Sequence, residues 1–263
     1  MLDAELHQAS GLWGLARPLT TRCTAIVRHS NPEPHEWPLL WSLCQAWRDM
    51  GLDVLVLDGL SVESPDNPGL EQLLHDRHLP PNAAPGDGWV VLPAQTGIAT
   101  ISEVGMSLDG LGSLLGDYGV VALYTDIATW PKTFTACGLS PLVPLHAHST
   151  STVHAYLAVK HLLVQAQLRP TIANIAPIVA PVAHAASRLT DASLSAMNAV
   201  APTEAALRNL QRCSREFLGF EPDALTVRLP AHGDCSRDDV LRLALLMLEN
   251  SVELGSAHAA LLH

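Results

Sequence analysis

The stretch from Ala25 to Gly59, AIVRHSNPEPHEWPLLWSLCQAWRDMGLDVLVLDG, limits the folds open to this chain more than any other. An apolar run from Ala25 to Val27 meets a polar loop, broken by Pro32 and Pro34, that lasts to Trp37. Leu39, Leu40, Leu43, Ala46, Trp47 and Met50 then recur at helical spacing. Gly51 stops that helix, and Val54 to Leu57 is wholly apolar between Asp53 and Asp58. A strand, a helix and a second strand with no polar face make a βαβ unit. Its second strand belongs in a parallel sheet covered on both sides.

The rest of the chain repeats this alternation. Apolar runs at Trp89 to Pro93, Val120 to Tyr124, Leu142 to Leu145, Thr171 to Ala176 and Thr226 to Leu229 are the further strands expected. Helical spacing covers Leu70 to His78, a glycine-interrupted stretch from Ile101 to Leu115, Ser149 to Gln167, and Asp238 to Leu248. Pro181 to Val200 and Thr203 to Leu218 are also helical, with Pro202 expected to break them apart. The helix from Ser149 is expected to be capped by Ser149, Thr150 or Ser151 and to bury Val153, Tyr156, Leu157, Val159 and Leu163. The last helix, led by Asp238 and Asp239, is expected to pack on the sheet or on a partner. The fold class is therefore α/β: a doubly wound, mostly parallel sheet flanked by helices, in one domain over residues 21–263. Residues 1–20 form an arm, in which Gly11 and Gly14 each cost a helix about 1 kcal/mol against alanine. So short a segment docks on its own domain or waits for a partner.

The loop before the first helix decides the chemistry. A phosphate-binding βαβ unit cradles its ligand on glycine N–H groups and neutralises it with lysine. The stretch His29-Ser30-Asn31-Pro32-Glu33-Pro34-His35-Glu36-Trp37 has neither residue type. Its prolines remove two N–H donors, and Glu33 and Glu36 put negative charge where a phosphate needs positive. A carboxylate is itself favoured at a helix N-terminus, so Glu36 is read as a built-in substitute for the anion.

Composition narrows the alternatives. A formal net charge of −11 with scattered Lys and Arg argues against a nucleic-acid surface. Cys23, Cys44, Cys137, Cys213 and Cys235 lack metal-site spacing and read as reduced thiols. No apolar run reaches the roughly 18 residues of a membrane span, and no signal-peptide pattern opens the chain, so a cytoplasmic protein is expected.

With these residues in place the βαβ unit resembles the MinD/ParA-type P-loop ATPases, and among them the flagellar-number regulators FlhG and FleN. Laid on their strand–SGKGGVGKT–helix–GxxVLVLDAD pattern, Gly51 takes the glycine before the second strand and Asp58 the aspartate that closes it. Asn31 and Glu36 stand at the two lysines, and Trp37 at the Mg²⁺-binding threonine. HQASGLWGLARP resembles the family's DQAxGLR activator helix, keeping Gln8, Ala9, Gly11 and Leu12, with His7 and Trp13 at its charged ends. STSTVHAYLAVK resembles PTSLTDAYALIK, and Ala94 to Thr100 resembles the loop after the family's third strand. Tyr124 falls at the Walker B aspartate, with Asp126 two residues on; a shift of one or two residues would restore it.

The resemblance implies a non-catalytic pseudo-ATPase without a cofactor or a metal, acting as a regulatory or scaffolding module in flagellar or other polar placement. It implies binding through Gln8, Ala9, Gly11, Leu12 and Trp13 to an FlhF-like SRP-type GTPase, or to a flagellar transcriptional regulator. Any dimer would be constitutive, and recruitment to a cell pole would follow. Asn174 takes the place of a base-facing asparagine and is read instead as a loop cap. The alternative is an enzyme or divergent nucleotide binder using the strand-end crevice near His146 and His148, where a doubly wound sheet takes its ligands. A crevice lined by these histidines and Asp126 would favour it. Ser149 to Thr152 lacks the glycines of a nucleophile elbow and reads as a helix start.

Overall fold

The computed structural model describes residues 20–28, 36–76, 88–178, 189–230 and 237–255, with the side chains of 36, 177–178, 189–201 and 229–230 left undescribed. The strands are β1 (Thr21–Arg28), β2 (Val54–Asp58), β3 (Trp89–Pro93), β4 (Val120–Asp126), β5 (Leu142–Leu145), β6 (Thr171–Ile178), β7 (Ala224–Pro230) and β8 (Val252–Leu254). Between them run α1 (Glu36–Asp49), α2 (Leu70–His75), α3 (Gln95–Val104), α4 (Leu108–Leu115), α5 (Ser149–Val164), α6 (Leu189–Leu218) and α7 (Arg237–Glu249). The sheet order is β3-β2-β4-β1-β5-β6-β7, parallel throughout, with β8 added antiparallel beside the start of β1. The expected doubly wound α/β sheet is what forms.

Strand alternation splits the core between two faces. Val54 and Val56 of β2 join Ile26, Ala122 and Tyr124 under α1 and α7, while Leu55 and Leu57 join Val27 and Leu123 under α3, α4, α5 and α6. On the first face α1 buries Leu39, Leu40, Leu43, Cys44 and Trp47. The Trp47 indole is wholly enclosed and donates from Nε1 to the Ala244 carbonyl of α7 at 3.1 Å. Helix α7 buries Val240, Leu243, Ala244 and Met247 in the same cluster, so it packs on the sheet.

Several expectations are corrected. Helix α3 starts at Gln95, in the stretch read as loop, because the Glu63 carboxylate accepts from the backbone N–H groups of Thr96 (2.8 Å) and Gly97 (2.7 Å). That satisfies donors at the helix start from a residue far back in sequence. Gly105, at φ 64°, ends α3 before Ser107 caps α4, so the stretch to Leu115 is two helices. Helix α6 is continuous through Pro202, which lies on its exposed side, where water can take the carbonyl that proline leaves unbonded. Helix α5 has His148 as its N-cap with no side-chain cap bond, and Ser151 Oγ instead accepts from the His146 N–H at 2.9 Å. Its buried face is Ser151, Ala155, Ala158, Val159 and Leu162, while Val153 and Leu157 point to solvent. β8 was not foreseen; it needs Gly112 of α4, where a Cβ would stand 2.4 Å from the Gly255 nitrogen.

Candidate functional site at the strand ends

The carboxyl ends of β1, β2, β4 and β5 carry the residues singled out above. In parallel register Ile26, Tyr124 and Asp58 lie side by side across β1, β4 and β2, and Arg28 lies beside Asp126. The position two residues before Asp126 is thus filled by a tyrosine, 1% exposed and part of the core under α1.

Trp37, 36% exposed at the start of α1, lies over that ring with centroids 5.1 Å apart. Trp41 stacks on Trp37 at 5.4 Å, and Trp89 of β3 stacks on Trp41 at 5.9 Å. The spacing of α1 foretold that Trp37 and Trp41 share a face. It did not foretell Trp89, whose partner comes from another element. The ladder runs from Tyr124 toward the start of β3, so Trp41 belongs to the flank of the sheet rather than to its strand ends.

Both carboxylates have local partners. Asp58, 7% exposed, accepts from the Leu60 N–H at 3.1 Å and the Ser61 hydroxyl at 2.6 Å. Asp126 Oδ1 accepts from the Thr129 N–H at 2.9 Å and its hydroxyl at 3.0 Å, and the Thr125 and Thr129 hydroxyls lie 2.8 Å apart. Each aspartate holds the turn that follows its own strand. Gly59 between them leaves no room for a side chain: a Cβ there would meet Ile98 and Thr125 at 2.9 Å.

His146 is buried and its ring stacks on exposed His148 at 5.9 Å; His148 Nδ1 is 3.4 Å from the Thr150 hydroxyl. A cavity of about 70 Å³ near the carboxyl end of β1 is lined by Val27, Arg28, Ile127, Val143, His154, Leu157 and Ala158. It takes in neither His146, His148 nor Asp126, and it falls well short of the roughly 300–1,000 Å³ of ordinary ligand pockets. Among the described residues no three His, Cys, Asp or Glu converge on one point. The Cys23 and Cys44 thiols are core groups: burial pushes Cys44 up to about 12 and Cys23 further, with Cys137 adding to the shift. Asn174 is fully buried within β6 and donates to the Thr226 hydroxyl of β7 at 3.1 Å, a cross-strand bond rather than a loop cap.

Asn31, Pro32, Glu33, Pro34 and His35 lie outside the described residues, as do Gln8, Ala9, Gly11, Leu12 and Trp13 of the arm; Glu36 opens α1 with its side chain undescribed. The residue that sequence reasoning missed altogether is Glu63, which carries no local signal.

No helix among the described residues is long and apolar enough to cross a membrane. No protein-family model and no curated protein matches the sequence. Solved structures do match. The MinD cell division protein of Aquifex aeolicus superposes with a TM-score of 0.51 at 11% identity, over 88% of this chain and 99% of that one. A chain of the MinC:MinD cell division protein complex of the same organism gives 0.47 at 11% identity, over 83% and 85%. The pNOB8 ParA protein gives 0.48 at 11% identity, over 88% and 99%. At this identity the likeness is one of fold: the chain has the mostly parallel, helix-flanked architecture of the MinD/ParA-type P-loop NTPases.

Proposed function

We propose that this chain is a MinD-like protein that has given up the ATPase cycle and works as a protein-binding module in placing or counting a polar machine, the flagellum first among them. The observation that carries the reading is the Tyr124–Trp37 contact. The tyrosine stands where the resemblance puts the metal-side aspartate, and the indole that covers it stands where the resemblance puts the Mg²⁺-binding threonine. Two further features support it. The loop Asn31 to Trp37 has no lysine or glycine, and Asp58 and Asp126 hold their own turns.

Without a nucleotide to switch it, assembly with partners is constitutive. The arm is the partner-binding element, through Gln8, Ala9, Gly11, Leu12 and Trp13. Its partner is an FlhF-like SRP-type GTPase or a transcriptional regulator of flagellar genes. Truncating an aromatic anchor of this kind costs about 2–4 kcal/mol of binding, roughly thirty-fold or more in affinity. The test measures the purified GTPase or regulator against the full chain, the chain without residues 1–20, and Trp13→Ala. The reading expects the last two to lose at least that factor. Equal affinity in all three removes the arm from the interface.

A further inference from the structure

Helix α5 is the exception among the helices. Val153, Leu157 and Val164 are 56%, 52% and 55% exposed, and no other helix among the described residues shows more than one large apolar side chain to solvent. Their spacing is not random. Val153, Leu157, Lys160 and Val164 follow steps of four, three and four, the seam spacing of a helix that pairs with another helix. Among the described residues nothing covers this seam, and such a seam is not expected on a surface that faces water alone.

One segment of the chain matches it residue for residue. Leu2, Leu6, Ala9 and Trp13 follow the same steps of four, three and four. Both seams span about 16 Å as helices. The attachment point sets the direction. Helix α5 begins just after the carboxyl end of β5 and ends just before the start of β6, so Val164 lies toward the end of the sheet where β1 begins. Residues 14–20 lead into Thr21 at that same end and reach about 23 Å when extended. An arm docked on this face would therefore run parallel to α5, with Trp13 level with Val164, Leu6 with Leu157, and Leu2 with Val153.

Charge agrees. In a chain of net charge −11, α5 has no acidic residue and carries Lys160, His154 and His161, whereas the arm brings Asp3 and Glu5. In the parallel pairing Ala9 faces Lys160 and leaves room for its stem. Glu5 falls across from His161, in the flanking positions where paired helices place their ion pairs. Gly11 and Gly14 weaken the arm as a free helix, so it needs a surface to form on.

We propose that residues 1–13 dock along the outward face of α5 as a parallel helix, holding the arm on its own domain, with residues 14–20 as the connector to β1. Ala9 and Trp13 face α5 in this state, so a partner that takes the arm displaces it from the helix. The test uses the full chain labelled with 5-fluorotryptophan, with the Trp13 signal identified through Trp13→Phe. A peptide of residues 1–20 supplies the undocked position. In the unmodified monomer the Trp13 signal should lie away from the peptide position. Leu157→Glu, and separately Val153→Glu, should move it to that position while the other indole signals stay put, which also shows that the fold is kept. A Trp13 signal already at the peptide position, or one indifferent to both substitutions, overturns the proposal. A signal that leaves the peptide position only as the chain doubles its mass at high concentration also overturns it, and assigns the seam to a second copy.

Discussion

Helices α1 and α5 flank opposite faces of one sheet and use their side chains in opposite ways. α1 turns its bulk inward, with Leu39, Leu40, Leu43 and Trp47 all within 1% of full burial. α5 turns its small residues inward, Ser151, Ala155 and Ala158 beside Val159 and Leu162, and leaves Val153, Leu157 and Val164 outside. Small residues let a helix lie close to the strands, and the apolar bulk displaced to its outer face becomes surface available to something else. The first helix is committed to the core. The second is committed on one side only.

That contrast can be broken by substitution. The largest effect is expected at Trp47, whose indole fills the space between α1 and α7 and satisfies its N–H on Ala244. Trp47→Ala should lower unfolding stability by about 3–5 kcal/mol in urea titrations, from the burial removed and the cavity left behind. A loss below 1 kcal/mol would mean that α1 is not the committed helix.

A smaller effect belongs to Cys44 on the same inner face. Burial raises its folded thiol to about 12 from the ordinary 9.0, so the unfolded chain releases the proton first as pH rises. The stability this protonated thiol contributes is whole below pH 9 and is lost between pH 9 and about 12. The loss runs at about 1.4 kcal/mol per pH unit in that window. Cys44→Ala should remove that share of the alkaline slope, whatever it does to stability at neutral pH. Identical slopes for the two chains would count against a sealed inner face. The smallest effect is expected outside α5: with residues 1–19 removed, Leu157→Ala should change unfolding stability by no more than about 0.5 kcal/mol. A larger loss would show that Leu157 is part of the core after all.

The sequence was most readable where the pattern is local. The run from Val54 to Leu57 and the repeat from Leu39 to Trp47 announce a buried strand and the helix before it, and both form as read. On α5 the same reasoning chose Val153 and Leu157 for the interior, because that helix is apolar on more than one side and periodicity alone cannot tell its faces apart. Distance along the chain hid the rest. Glu63 caps α3 from more than thirty residues away. β8 is three residues with a charged centre, and it pairs with β1 only because Gly112 lets Gly255 pass. At the site, Asp58 was legible as the end of β2. The register of β4, which sets Tyr124 rather than Asp126 beside it, had to come from the sheet.

Under the proposed function, nucleotide chemistry has left the strand ends. A single charge-assisted hydrogen bond to phosphate is worth about 1.5–3 kcal/mol. Without several of them, the roughly −8 kcal/mol of micromolar binding is out of reach. Calorimetric titration of the full chain with Mg-ATP and with ADP tests this most directly. No saturable heat is expected up to millimolar nucleotide. A micromolar dissociation constant would contradict it, and would mean that the loop from Asn31 to Trp37 binds phosphate without glycine or lysine.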